Sequence, residues 1–301
     1  MIPWRDVAAK TVAGGFGFVE APSFDRDGVL FFSEVRAGTV HRLRVGGAKA
    51  AGGRPSDVQP SRAQAEVFHR VASGWCNGTA FHRDGRLFLC DVGGGCIWTL
   101  TPDGAAALFV DRCTDDGQPL RGPNDLVFDR SGTLYFTDPR GSSLEEPVGA
   151  VYRAWPDGRV ERLDSGLAFP NGLALTPDET ALIVAETRTQ RLHRYAIAKD
   201  GSVGPRELFC QLPVDGTGPD GMALAEDGRL FVTHVGTGCL DAVSPDGQVL
   251  GRIPAGGARL SNCAFHEKAL YCTVTQTGEG NTGEIRRLEL GVNGHSLFSH
   301  R

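Results

Sequence analysis

The sequence predicts an all-β fold, a six-bladed β-propeller with four antiparallel strands per blade, on three features of its 301 residues. The chain is rich in turn formers, with 41 Gly and 17 Pro, and Gly stands at about twice its usual share of roughly 7%. An apolar strand preceded by a turn recurs six times: DGVLFFSE from Asp27, DGRLFLCD from Asp84, SGTLYFTD from Ser131, DETALIVAE from Asp178, DGRLFVTH from Asp227 and EKALYCTV from Glu267. The leucines of these copies, Leu30, Leu87, Leu134, Leu182, Leu230 and Leu270, are spaced by 57, 47, 48, 48 and 40 residues, a propeller-sized period. Within the period no 3.6-residue apolar pattern with caps is sustained, so helices are expected to be rare.

Each unit reads as four short strands, clearest in the second copy: GTAFH, RLFLCD, GCIWTLTP and AALFV. DG-type turns separate the first two and TPDG closes the third against the fourth. Such sheets bury their faces by stacking radially. The first interval is long because of Gly46 to Ala65, which has no periodicity. That stretch reads as a flexible hairpin loop between the third and fourth strands of blade one, on the face away from the inner-strand starts, and therefore as dispensable. The last copy supplies GEIRRLEL as a third strand but no fourth. The segment from about Asp6 to Val12 is expected to complete that sheet, since an open ring would expose two sheet edges. Residues 1–301 are then one domain, with 292–301 as a C-terminal tail.

Composition excludes several function classes. With 31 Lys plus Arg against 36 Asp plus Glu, a net charge of -5 and no basic block, nucleic acid is not an expected partner. No stretch approaches the roughly 18 apolar residues of a membrane span, so no membrane partner is expected. The start, MIPWRDVAAK, lacks the basic end and apolar core of a signal peptide, which makes a cytoplasmic location the expectation. Eight cysteines form neither a CxxC pair nor a set with a nearby His pair and read as buried, reduced thiols. GxSxG, HExxH and GxxxxGK motifs are missing, so serine-hydrolase, zincin and P-loop chemistry have no support.

One repeat position is polar throughout. Ten residues before the marker leucine lie Glu20, Asn77, Asn124 and Asp220; offsets of eleven and eight reach Asn171 and Asn262. Their settings agree: VEAPSF, CNGTAF, PNDLVF, PNGLAL, PDGMAL and SNCAF. The first strand of a propeller blade lines the central channel, so these side chains should converge at one mouth. Asn77 and Asn262 also read as turn residues bonding their own backbone; Glu20 has no such habit. Two carboxylates and several amides facing one axis repel, and strand polar groups, unless a cation or water sits between them. Oxygen-only ligands point to a hard divalent cation, Ca²⁺ or Mg²⁺ first, Mn²⁺ close behind and Zn²⁺ less expected from ligand softness.

The set VEAPSF, GPNDLVFD, FPNGLALTPD, GPDGMALAEDG and SNCAF, in this order, resembles the SMP-30/gluconolactonase/luciferin-regenerating family from about Gly15 to Leu290. The resemblance implies a six-bladed propeller with one divalent metal in its channel and, in many members, hydrolysis of sugar-acid lactones. It implies that Glu20, Asn171 and Asp220 are metal ligands and that Asn124 contacts metal or substrate. Where the family commonly opens with an EGPxW-like motif this chain has EAPSF, a departure that bears on substrate class more than on the metal.

Lactone hydrolysis needs a polarised carbonyl and an activated water, which an open-sided metal supplies. Asp220 is the expected general base, with Glu20 as anchoring ligand and Asn124 orienting the substrate. Asp125 is the alternative base, but neighbours on a strand point to opposite faces, so it is expected to be structural. Four residues after each marker lie Glu34, Asp91, Asp138, Glu186 and His234, with Val274 in the sixth copy; the acids read as acceptors for loop backbone. His234 brings a titratable imidazole near the mouth, as a substrate contact or a structural hydrogen-bonding group. Arg121 reads as a fork for a substrate carboxylate or as a surface Arg, and Asn77 and Asn262 complete the candidate substrate contacts. The loop from Asp138 to Gly149 is placed to shape substrate choice. The expected partner is a small lactone. Two other readings keep the same site: a non-catalytic ligand-binding propeller, and phosphoester hydrolysis or a lyase or isomerase step.

Overall fold

A computed structural model describes residue 4 and residues 7–45, 62–278 and 282–295. The described residues form six four-stranded antiparallel sheets. Blade two shows the pattern, with strands Cys76–Phe81, Leu87–Asp91, Cys96–Leu100 and Ala106–Val110, as its apolar runs and DG turns predict. Burial falls outward: every residue of Leu87–Asp91 is buried, whereas Ala106–Val110 is largely exposed. Inner strands are covered on both faces by neighbouring blades and so read as continuous apolar runs. The six marker leucines are at most 2% exposed, and each belongs to a different apolar cluster, giving six clusters around the ring.

The hairpin before each marker strand demands a left-handed residue. Gly28, Gly85, Gly132 and Gly228 supply it, and where Gly is missing Glu179 and Glu267 are forced to φ of 57° and 53°. Only Gly adopts that region without steric cost, which is why Gly recurs there in four of the six copies, three times as DG and once as SG.

Ring closure follows the sequence expectation with a shift. The strand Ala9–Phe16 pairs antiparallel with Thr282–Glu289, in a sheet whose inner strand is Arg259–His266. It begins and ends a few residues later than expected because irregularities at Thr11/Ala13 and Gly14/Phe16 carry the paired segment through Gly14 and Gly15. Phe16 then packs edge-on against Phe32 of blade one, 5.0 Å between centroids, so the closing strand also joins the first and last blades.

The loop expectation is changed at one end. Residues 46–61 lie outside the described residues, but the 3-10 turn Arg62–Gln64 that follows is not on the far face. Arg62 Nη2 pairs with Glu34 Oε2 at 2.8 Å and Nη1 donates to the Gly15 carbonyl, on the side of the inner-strand starts. Shortening 46–61 while keeping Arg62 should therefore leave the rate within about twofold, because a change in loop length costs little. A steady-state assay that found activity lost with the fold intact would make the segment a lid.

The eight cysteines are free, and all but Cys239 are buried, as expected of small apolar fillers. No helix among the described residues is long and apolar enough to cross a membrane.

Candidate functional site

The polar ring sits on a repeated defect of the inner strands. Pairing breaks between Glu20 and Ser23, Cys76 and Thr79, Pro170 and Leu173, Pro219 and Met222, and Leu260 and Asn262. In blade three pairing starts only at Leu126. A bulge releases side chains from strict alternation and re-aims them. This corrects the expectation for Asp125. There Asn124 N donates to Thr137 O (2.8 Å) and Thr137 N to Asp125 O (3.0 Å), so two residues oppose one. The Asp125 carboxylate turns into the channel, where Oδ1 accepts from Leu126 N (2.9 Å) and Oδ2 lies 3.4 Å from Asn262 Nδ2.

The glycines after Asn77, Asn171 and Asp220 serve close approach between blades. A Cβ at Gly78, Gly172 or Gly221 would lie 2.4 Å from Asn124 O, 2.3 Å from Asp220 O or 2.1 Å from Asn262 Oδ1. Carbonyls freed by the bulges are taken up mostly by hydroxyls. Ser33 donates to Asn77 O (2.6 Å), Thr137 to Asn171 O (2.8 Å), Thr187 to Pro219 O (2.7 Å) and Thr233 to Ser261 O (2.9 Å). Ser33, Thr137 and Thr233 stand three residues after their marker leucines, a periodic signal that the reading of the sequence passed over.

Three carboxylates meet at the centre. Burial pushes Glu20 up to about 8, against a hydrogen bond from Ser261 and with the Asp125 charge adding. Burial raises Asp125 to about 6. Asp220 is held well above the ordinary carboxylate range by burial, then by the charges of Glu20 and Asp125, which outweigh a hydrogen bond from Asn171. Asn171 and Asn262 are buried beside them; Asn171 Nδ2 donates to Thr187 Oγ1 at 3.2 Å, which leaves its Oδ1 available. Asn77 and Asn124 are half-buried members of the ring whose carbonyls tie blade to blade, Asn77 through Ser33 and Asn124 through Gly78 N at 2.7 Å.

These donors fit a hard cation on chemical grounds. Like charges in one desolvated space favour protonation unless a positive charge enters, and carboxylates beside amide oxygens are the ligands such ions take. Among the described residues no three His, Cys, Asp or Glu side chains group as a metal site by themselves, so a cation here would need the amide oxygens as well.

The second ring supports the first. Glu34 accepts from Gly17 N, Glu186 from Ala168 N, and Asp138 from Arg121 N and Gly122 N, at 2.6 to 2.9 Å, in each case just before the ring residue of that blade. Burial alone would raise Glu34, but hydrogen bonds from His41, Arg62 and Gly17 bring it down to about 2. The partners recur seven residues on: Glu34 with His41, Asp91 with Trp98 and Glu186 with His193. In blade five the polarity inverts. His234 is fully buried, its Nδ1 2.6 Å from Asp241 Oδ2 and its Nε2 2.7 Å from Asp215 O, so both ring nitrogens are engaged in holding the loop ahead of Asp220. Arg252 closes that network with two bonds to Asp215 and one to Asp241. Arg121 is exposed, its backbone anchored by Asp138.

Beyond Asp125 and Asn262 the channel opens into a cavity of about 770 Å³ lined by Phe24, Phe81, Phe128, Leu175 and Leu224. Glu20, Asn171 and Asp220 do not line it. The cavity therefore extends from the ring toward the far ends of the inner strands and meets the ring at Asp125 and Asn262.

Comparison with known proteins gives a consistent picture. The chain is 34% identical over 211 residues to the gluconolactonase of Zymomonas mobilis, covering 64% of this chain and 58% of that protein. It therefore spans a little over half the length of that relative. It is 31% identical over 259 residues to lactonase drp35 of Staphylococcus aureus, covering 83% and 72%. A solved gluconolactonase from Xanthomonas campestris superposes with a TM-score of 0.74 at 29% identity, over 94% of this chain and 90% of that one. The profile of the SMP-30/gluconolactonase/LRE-like region matches residues 18–276, from just before Glu20 to past Asn262, and the chain belongs to that family.

Proposed function

We propose that the chain hydrolyses a small lactone at the polar ring with the help of one divalent cation, calcium being the first candidate. The observation that carries this reading is the convergence of Glu20, Asp125 and Asp220 with buried amides at the inner-strand bulges. The gluconolactonase and lactonase relatives support the reaction class. Glu20, Asn171 and Asp220 would hold the cation, with Asn124 beside them. When bound, the cation polarises the lactone carbonyl and eases deprotonation of water.

The chain's own groups manage the protons. Asp220 accepts a proton from the attacking water as the water oxygen bonds to the carbonyl carbon. The same proton passes to the ring oxygen as the acyl C–O bond breaks, so one water is consumed and a hydroxy acid leaves. Asp125, at about 6, is also suited to accept a proton near neutrality and is the second candidate for this role. Asn262 orients Asp125, and the second ring fixes the loops through which substrate enters.

Proton release on a panel of small aldonolactones tests the reading. Saturable turnover of at least one is expected; absence of turnover on all of them, with a folded protein, would favour a ligand-binding propeller.

A further inference from the structure

The residues two positions before the ring form a layer of their own. In three blades they are aromatic, Phe18, Trp75 and Phe169, and all three are half-buried. Their backbones are held alike: Phe18 O accepts from Val35 N, Trp75 O from Gly93 N and Phe169 O from Thr187 N, at 2.8 to 3.1 Å. Each ring carries a guanidinium. Arg36 lies 3.8 Å and Arg140 5.3 Å from the Trp75 centroid, Arg188 5.4 Å from Phe169 and Arg259 5.0 Å from Phe18. Phe169 adopts a φ of 67°, rare for an aromatic residue, to take its place in the layer.

These arginines differ from many others in the chain. Arg42, Arg86, Arg153, Arg229 and Arg252 each pair with a carboxylate. Among the described residues, Arg36, Arg140, Arg188, Arg259 and the neighbouring Arg121 have no carboxylate within ion-pair distance, and all five are exposed. Glu145 is the acid whose charge is felt with that of Arg188, and Arg259 is near enough to the floor to favour the charged form of Asp220. A collar of cations thus stands over an acidic floor. Arg140 Nη1 is taken up by the Val92 and Arg121 carbonyls, at 2.9 and 3.0 Å. Aromatic contact holds Arg36, Arg188 and Arg259 while leaving their N–H groups to a ligand, which is the arrangement that recognises carboxylate or phosphate.

We infer that the substrate carries a second, anionic group, a carboxylate or a phosphate, which this collar grips while the lactone carbonyl reaches the polar ring. Two residues of strand separate the layers by about 7 Å, so carbonyl and anion stand roughly five bonds apart, as in a hexonolactone charged at its far end. The inference rests on the lactonase reading for the reaction but not for the binding.

The test has two arms. The first compares kcat/KM for glucono-δ-lactone, its 6-phosphate and a glucarolactone, in wild type and in Arg36→Gln/Arg188→Gln. The anionic substrates should be preferred at least about tenfold, as charge-assisted hydrogen bonds allow. The double variant should collapse that ratio towards one, and raising the salt should erode it in wild type. Preference for the phosphate alone or the carboxylate alone identifies which anion the collar fits. The second arm needs no turnover: calorimetric binding of 6-phosphogluconate and glucarate against gluconate, in the same two proteins. Tighter binding of the doubly charged acids, lost in the variant, supports the collar even if no lactone is hydrolysed. Neutral and anionic lactones turned over equally, with equal binding of the acids, would overturn the inference and leave the lactonase reading standing.

Discussion

Asp220→Asn is expected to lower turnover by about 10² or more at saturating metal, the range typical of general-base loss. Asn keeps an oxygen and nearly the same volume, so ligation can persist in weaker form while the proton acceptor is gone. Glu20→Gln removes one unit of charge from the same buried cluster but, on this assignment, no base, and added metal should largely restore it. Asp125→Asn separates the two candidate bases. Its effect should stay below about tenfold if Asp220 takes the proton, since general-base loss costs more than that. Turnover measured for the three variants across a metal titration decides the matter. Equal rescue of Asp220→Asn and Glu20→Gln would make Asp220 a ligand only. A loss at Asp125 equal to that expected at Asp220, with the acid limb of the pH profile gone, would move the base to Asp125.

The second large effect is structural. Removing residues 1–13 should lower the melting temperature by at least about 10 °C, because a propeller without its closing strand leaves Thr282–Glu289 as an open edge. The deletion also removes Trp4, which is 6% exposed and packs edge-on against Phe231 at 6.0 Å. Losing a buried aromatic of that size alone costs about 3 to 5 kcal/mol. Calorimetry on the truncated chain checks this. An unchanged melting temperature would mean that the ring is stable open.

Much of this was legible in the sequence because a propeller writes its architecture periodically. The marker leucines, the DG hairpins and the missing last strand each reported a physical need: a core contact, a left-handed turn, an edge to be closed. The polar ring was legible for the same reason, and Glu20, Asn171, Asp220 and Asn262 do converge. Strand alternation misled at Asp125, since a bulge is a local break of the ladder that a two-residue period cannot express. His234 occupied a carboxylate's place in the repeat, but the acid it needed, Asp241, sits seven residues on. That same interval links Glu34 to His41 and Glu186 to His193, so the inverted pair was present in the sequence as a pattern rather than as a single residue. Arg36, Arg140 and Arg188 were periodic too, each six residues after its marker leucine, but an exposed arginine carries no sign of what it faces, and only folding brings Arg36 and Arg140 to one Trp75.

The central claim is that the carboxylate ring works with one divalent cation. The most direct measurement strips the protein with chelator, removes the chelator, and follows both lactone turnover and melting temperature as calcium is titrated back. The account predicts turnover near background in the stripped protein and its return with one equivalent of bound metal. Melting temperature should rise in step, since a ligand that binds only the folded ring stabilises it by mass action. Full turnover in protein free of metal by elemental analysis would contradict it.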